Sequence, residues 1–191
     1  MKIYIIGVGL IGGSFAMEMR KLFPKSSIIG IDKSENNLNK AYEIGIIDKK
    51  SCLSEISDAD IIIVSVPVKS IINLLPNILD KVNKNTLVID FGSTKNSICN
   101  VIKDHPNREN FLATHPIAGT EFSGPTAAHK GLFVNKNIII CDKHRTNQSR
   151  LEIALKIFKS MKMKISYMNP DAHDKHIAYV SHLSHLSSFM L

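Results

Sequence analysis

The sequence predicts a doubly wound, parallel α/β sheet, and three observations carry that prediction. Strand-like and helix-like segments alternate along nearly the whole chain. Some strands are unbroken apolar runs, such as Asp60-Ile61-Ile62-Ile63-Val64-Ser65-Val66-Pro67, which suits a parallel strand covered on both faces. The first strand passes directly into a glycine-rich turn and then a helix. Such alternation places helices on both faces of one sheet.

The elements follow in order. Lys2-Ile3-Tyr4-Ile5-Ile6 reads as a buried strand, and Ser14 to Leu22 as a helix with Phe15, Met19 and Leu22 on one face. Between them lies Gly7-Val8-Gly9-Leu10-Ile11-Gly12-Gly13, with the spacing G-x-G-x-x-G. Gly7 permits the tight turn, Gly9 leaves room for a pyrophosphate, and Gly12 lets the helix approach the sheet. The helix N-terminus adds unpaired N–H groups and partial positive charge. Taken alone this spacing is a weak signal. A second strand, Ser27-Ile28-Ile29-Gly30-Ile31, ends in Asp32, placed where a carboxylate accepts bonds from an adenosine ribose. The whole reads as a Rossmann-type dinucleotide site. Asp32 favours NAD over NADP by repelling a 2′-phosphate, while Lys33 beside it pulls the other way.

Glu35 to Glu43 reads as a helix, and a short, poorly marked strand follows Gly45-Ile46-Ile47-Asp48. After the Asp60–Pro67 strand, Val68 to Leu79 is helical, with Pro76 expected to kink or break it. Thr86-Leu87-Val88-Ile89-Asp90 is a buried strand leading to a short helix that ends near Ile102. Further strands are predicted at Phe111–Thr114, Asn137–Cys141 and Lys164–Met168, with an amphipathic helix over Leu151–Met161. A last helix starts at Pro170-Asp171, with proline in its first turn, and reaches Leu191 without a stop signal. That open end leads to the expectation that the natural protein continues or that a partner covers the helix. The chain thus divides into a dinucleotide-binding domain, 1–168, and a last helix, 169–191.

Composition excludes several classes. The 191 residues are 44% hydrophobic, enough for a substantial core, and no run approaches a membrane span. Cys52, Cys99 and Cys141 are odd in number and lack metal-type spacing, so free thiols in a reducing cytoplasm are expected. The formal charge is +7, and ten Lys/Arg against four Asp/Glu fall between Lys130 and Lys175. That stretch has no interleaved aromatics and no nucleic-acid module, so it reads as a solvated face able to steer an anionic small molecule.

Ligands of such sheets bind beyond the carboxyl ends of the strands. Ser65-Val66-Pro67, Gly92-Ser93-Thr94-Lys95 and His115-Pro116 sit at three such ends. His115 is the natural acid–base group, since imidazole titrates near neutral pH. Ser93 is placed to hydrogen-bond a substrate hydroxyl or the imidazole. His173, His176, His182 and His185 cluster late in the chain, with His182 and His185 on one helical face. They lack a closed ligand set, so polar contacts to an anionic substrate are favoured over a metal.

Four segments together resemble the prephenate and arogenate dehydrogenases: Gly7 to Ser14; Phe91-Gly92-Ser93-Thr94-Lys95; His115-Pro116-Ile117-Ala118-Gly119-Thr120-Glu121; and His173-Asp174 with Ser181-His182-Leu183-Ser184-His185. The resemblance spans nearly the whole chain. It implies NAD-dependent oxidation of prephenate with loss of carbon dioxide, giving 4-hydroxyphenylpyruvate for tyrosine synthesis. It implies that His115 accepts the hydroxyl proton and that Ser93 bonds that hydroxyl and helps orient His115. Thr120, His182 and His185 become substrate contacts. The cofactor side falls to Gly7, Gly9, Leu10, Ile11, Gly12, Asp32, Ser65, Val66 and Pro67. Family members form dimers through a helical domain that also supplies a carboxylate-binding arginine, and the resemblance makes 169–191 the first helix of that domain. Arg108, Arg145 and Arg150 do not match that position, and Ser184 replaces a usual proline. The chain is therefore expected to be C-terminally truncated, a cytoplasmic homodimer in its full form, with no metal, membrane or nucleic-acid partner. Arogenate as substrate, another hydroxyacid-type dehydrogenase of the same fold, and a non-catalytic NAD-binding module remain alternatives.

Overall fold

A computed structural model describes residues 1–189, with side chains described for residues 1–180. The sheet is built outward from β1, Lys2–Ile6, whose side chains alternate between two cores. Ile3 and Ile5 enter the layer packed by α1 (Leu10–Leu22) and α5 (Gln148–Ser160). Tyr4 and Ile6 enter the layer packed by α3 (Val68–Lys81) and α4 (Asn96–Val101). β4, Ile61–Val64, divides likewise, with Ile61 and Ile63 on one side and Ile62 and Val64 on the other. Both faces are covered, so alternation with polar residues disappears and the strand becomes wholly apolar. Each buried aliphatic side chain contributes roughly 1.5–3 kcal/mol.

The remaining strands are β2 (Ser27–Ile31), β3 (Lys49–Lys50), β5 (Leu87–Asp90), β6 (Phe111–Pro116), β7 (Asn137–Cys141) and β8 (Lys164–Met168). The sheet order is β3-β2-β1-β4-β5-β6-β7-β8. Order reverses between β1 and β4, which opens a crevice at their carboxyl ends. The sheet is parallel except that β7 runs antiparallel to β6, with Ala113 opposite Cys141 and Pro116 opposite Ile138. The wholly parallel sheet expected from the sequence is corrected there. Residues 117–136 contain a single 3-10 turn, Pro125–Ala127, and no crossover helix to return the chain for a parallel strand. That connection is tied across α1: Ser14 Oγ accepts the His129 N–H at 3.0 Å, and Glu18 accepts the Gly131 N–H at 2.7 Å.

Two helices depart from their predicted form. α1 begins at Leu10, four residues before the predicted start, so Gly12 and Gly13 lie inside its first turns. α3 continues through Pro76 to Lys81. Ile71, Leu75, Ile78 and Leu79 are all buried along one face, and that burial offsets the roughly 3 kcal/mol cost of an internal proline. α2 (Glu35–Glu43) is capped by Ser34, whose hydroxyl accepts the Asn37 N–H. α6, Pro170–Phe189, follows β8 directly and packs against α4. No helix among the described residues is long and apolar enough to cross a membrane.

Candidate active site

The glycine turn has one backbone demand at each end. Gly7 sits at φ +92°, and a Cβ there would stand 2.2 Å from the Ser65 carbonyl oxygen. A Cβ on Gly12 would stand 2.0 Å from the Gly7 carbonyl oxygen. Both glycines are therefore required by close backbone approach where β1, α1 and β4 meet. Gly9 differs: a Cβ there meets nothing within 4 Å, because the position faces open space. The first amide of α1 to close an intrahelical bond is that of Gly13, to Gly9 O at 2.8 Å. The amides of Gly9, Leu10, Ile11 and Gly12 precede it and have no intrahelical partner, which makes this end receptive to an anion.

Asp32 closes the other side. One carboxylate oxygen accepts the Val8 N–H at 3.0 Å and the other accepts the Ser34 N–H at 2.8 Å. A carboxylate has about four lone-pair sites, so each oxygen keeps acceptor capacity for a ligand hydroxyl. Gly7, Gly9, Asp32, Ser65, Val66 and Pro67 border one cleft of about 520 Å³. Leu10, Ile11 and Gly12 do not border it; Leu10 and Gly12 are buried, and what they offer is backbone amide. Open amides at one end, a carboxylate at the other and apolar walls from Val66 and Leu74 fit a dinucleotide.

A second cleft of about 420 Å³ lies at the end of β6, bordered by His115, Pro116, Ile117, Lys136, Ile177 and Val180 among others. The half-buried His115 ring makes one described hydrogen bond, Nδ1 to Nε2 of His173 at 3.0 Å. His173 is fully buried, and its Nδ1 bonds the Asp174 carboxylate at 2.7 Å. That carboxylate also accepts the N–H groups of Lys95, at 2.6 Å, and Asn96, at 2.9 Å. Burial pushes Asp174 up, but the His173 bond and the two amides outweigh it and hold the carboxyl below its usual value. Burial, then the neighbouring His173 ring and Lys95 ammonium, pushes His115 down to about 4, so its ring is uncharged at neutral pH.

Beneath this row is an ion pair that sequence reasoning missed. Lys95 and Asp90 are both fully buried, and the Lys95 ammonium donates to the Asp90 carboxylate and to the Thr114 carbonyl, the latter at 2.7 Å. Asp90 further accepts the amides of Gly92 and Thr114, at 2.9 and 3.0 Å. Burial pushes the Asp90 carboxyl up, while Lys95 and these amides pull it back. The pair locks the ends of β5 and β6 together directly under His115. Asp90 and Lys95 flank the Gly92-Ser93 turn in sequence, but nothing local shows that Lys95 points inward.

The predicted substrate-side residues are placed less uniformly. Ser93 is exposed and makes no described hydrogen bond; the imidazole partner expected there is supplied by His173 instead. Thr120 is exposed, accepts the Phe122 N–H at 3.2 Å, and does not border the His115 cleft. The side chains of His182 and His185 lie outside the described residues. The adjacent pair His173-Asp174 is visible in the sequence, whereas its pairing with His115, 58 residues away, is not.

The family model "Prephenate dehydrogenase, nucleotide-binding domain" matches residues 15–167. A prephenate dehydrogenase of Bacillus subtilis (strain 168) is 32% identical over 176 residues, covering 90% of this chain and 47% of that protein. The chain thus spans about half the length of the curated relatives it matches. The crystal structure of prephenate dehydrogenase from Aquifex aeolicus, in complex with hydroxyphenyl propionate and NAD+, superposes with a TM-score of 0.87 at 29% identity, covering 100% of this chain and 67% of that one. Arogenate dehydrogenase from Synechocystis superposes at 0.82 with 29% identity, covering 96% and 65%. With a family model matched over most of its length and close superposition on both solved structures, the chain belongs to the prephenate dehydrogenase family, over the stretch that forms the family's nucleotide-binding domain.

Proposed function

We propose that the chain binds NAD and carries the proton-transfer group for oxidative decarboxylation of prephenate to 4-hydroxyphenylpyruvate, a step of tyrosine synthesis. The observation that carries this reading is His115: an imidazole kept uncharged by its surroundings, one nitrogen engaged by His173, at a strand end of the sheet that forms the dinucleotide cleft. Bound in that cleft, NAD supplies the acceptor for a hydride from the ring carbon bearing the hydroxyl. Gly9, Leu10, Ile11 and Gly12 hold the pyrophosphate through their amides, and Asp32 accepts the ribose hydroxyls. Ser65, Val66 and Pro67 border the path toward the strand ends.

His115 receives the hydroxyl proton as the carbon–oxygen bond becomes a carbonyl. The ring carboxylate then leaves as carbon dioxide, its electron pair entering the ring, which becomes aromatic. The phenolate oxygen so formed takes a proton back from His115. Aromatisation drives the loss of carbon dioxide, so the chain's main tasks are proton transfer and alignment of the ring. Ile177 and Ile117 give the ring apolar walls, and Lys136 offers a cation for a substrate carboxylate. Ser93, Thr120, His182 and His185 are proposed as further substrate contacts. Residues 1–168 serve as the cofactor domain and 169–191 as the first helix of a helical dimerisation domain, with a cytoplasmic homodimer as the working form. The likeness to Synechocystis arogenate dehydrogenase favours arogenate as the second reading.

The test is NADH formation by the chain and by a form extended through the relatives' remaining length, each offered prephenate and arogenate with NAD or NADP. Turnover of prephenate with NAD supports the proposal, and turnover of arogenate alone replaces the substrate. NAD binding without turnover by either form overturns the catalytic reading.

A further inference from the structure

We infer that Asp174 and His173 are positioning residues that hold the His115 proton on Nδ1 and so leave the Nε2 lone pair for the substrate hydroxyl. The inference rests on the reading of His115 as the base. It follows from counting donors and acceptors along one row of atoms. The Asp174 carboxylate is seated by two fixed donors, the amides of Lys95 and Asn96 at the start of α4. An ionised carboxylate has acceptors only, so the third group it meets, His173 Nδ1, carries a hydrogen. An uncharged imidazole with N–H at Nδ1 has a lone pair at Nε2. That lone pair faces His115 Nδ1 at 3.0 Å, which must then be the N–H. Only Nε2 of His115 is left, unpartnered among the described residues, on a ring that borders the His115 cleft. A second proton on His173 would reverse the row: its Nε2–H would face His115 Nδ1 and place the His115 proton on Nε2. His173 is fully buried, and burial favours the uncharged, singly protonated ring over a charged one.

The row acts again after proton transfer. The imidazolium then points its Nδ1–H at His173, with the Asp174 charge behind, until the proton returns to the product oxygen. The titratable groups acting on His115 are Lys95, from the turn after β5, and His173 and Asp174, from α6. Seating Asp174 on α4 is also one of the contacts that dock α6, so the orientation of the base depends on the helix that follows the sheet.

The test reads the tautomer directly. In the 15N-labelled full chain with NAD, long-range 1H–15N correlations are assigned to His115 by its loss in His115→Asn. Hydrogen on Nδ1 of His115 is expected; hydrogen on Nε2 overturns the inference whatever the turnover. Asp174→Ala, which removes the acceptor for His173 Nδ1, is expected to release the row and let the His115 proton populate Nε2 as well as Nδ1. It should lower kcat of the active form by about 10²-fold or more with KM little changed. A His115 proton still held wholly on Nδ1 in a folded Asp174→Ala overturns the inference. Should that variant fail to fold, His173→Gln against His173→Leu decides. The glutamine carbonyl can accept the His115 Nδ1–H and should recover at least about tenfold of the kcat lost in the leucine variant, and equal loss in both overturns the inference. Absence of turnover with His115 protonated on Nδ1 instead strikes the substrate reading and leaves the row standing.

Discussion

His115 shows how surroundings assign a role to a residue type that has many. Its ring is pushed down to about 4 by burial and by the neighbouring His173 ring and Lys95 ammonium. The sign of the consequence is definite. The unfolded chain protonates this histidine near its ordinary value of about 6.5 while the folded chain resists until about 4. This histidine's contribution to folding stability is therefore lost as pH drops from about 6.5 to about 4 and changes no further below. Thermal melts across that window should show the loss in the wild type and a smaller loss in His115→Asn. The same variant should lose NADH formation by about 10²- to 10⁴-fold while calorimetry shows NAD affinity nearly unchanged; equal loss of both would refute the base assignment. Asp32 carries two duties, since its oxygens also hold the amides of Val8 and Ser34. Asp32→Ala should weaken NAD binding, narrow the preference over NADP and cost about 1 kcal/mol in stability from the lost hydrogen bonds. An unchanged NAD/NADP ratio would remove Asp32 from the ribose site.

Among the elements, the β1-turn-α1 unit separates what the fold needs from what a ligand needs. Gly12 is pressed against the Gly7 carbonyl, whereas Gly9 faces open space. Gly12→Ala should therefore fail to fold or melt far below the wild type. Gly9→Ala should melt within a few degrees of it yet lose NAD affinity by roughly tenfold or more, since the new methyl occupies the pyrophosphate's path. Circular dichroism melts and NAD titration of the two variants check this, and a Gly9→Ala chain with full affinity would contradict the placement. The length of α3 teaches a related lesson. Local chemistry at Pro76 favours a break, but four buried aliphatic side chains on one face keep the helix whole.

For the whole molecule, the sheet gathers distant segments at one edge. The dinucleotide cleft forms where strand order reverses between β1 and β4, and the His115 cleft forms at the end of β6, with Lys136 beside it. A formal charge of +7 on 191 residues adds a long-range pull on a carboxylate-bearing substrate. In the active form, raising ionic strength should lower kcat/KM for prephenate, because salt near 0.1 M screens charges beyond ~10 Å. Lys136→Met should raise KM and flatten that salt dependence, with kcat little altered. A KM that ignores both would mean the cation lies off the substrate's path.

The sequence by itself determined the strand–helix alternation, the glycine turn, the acid at the end of β2 and a histidine at the end of β6. These are legible because each depends on neighbours within a few residues: apolar runs mark doubly covered strands, and glycine spacing reflects backbone contact at one turn. The tertiary structure decided what depends on residues far apart in the chain. It reversed β7 beside β6, because the intervening segment offers no crossover helix. It buried Lys95 against Asp90 beneath the site, and it brought His173 and Asp174 to His115 in place of the expected Ser93. A side chain's hydrogen-bond partner is set by which strand ends and helices the sheet brings together, and local spacing carries no record of that.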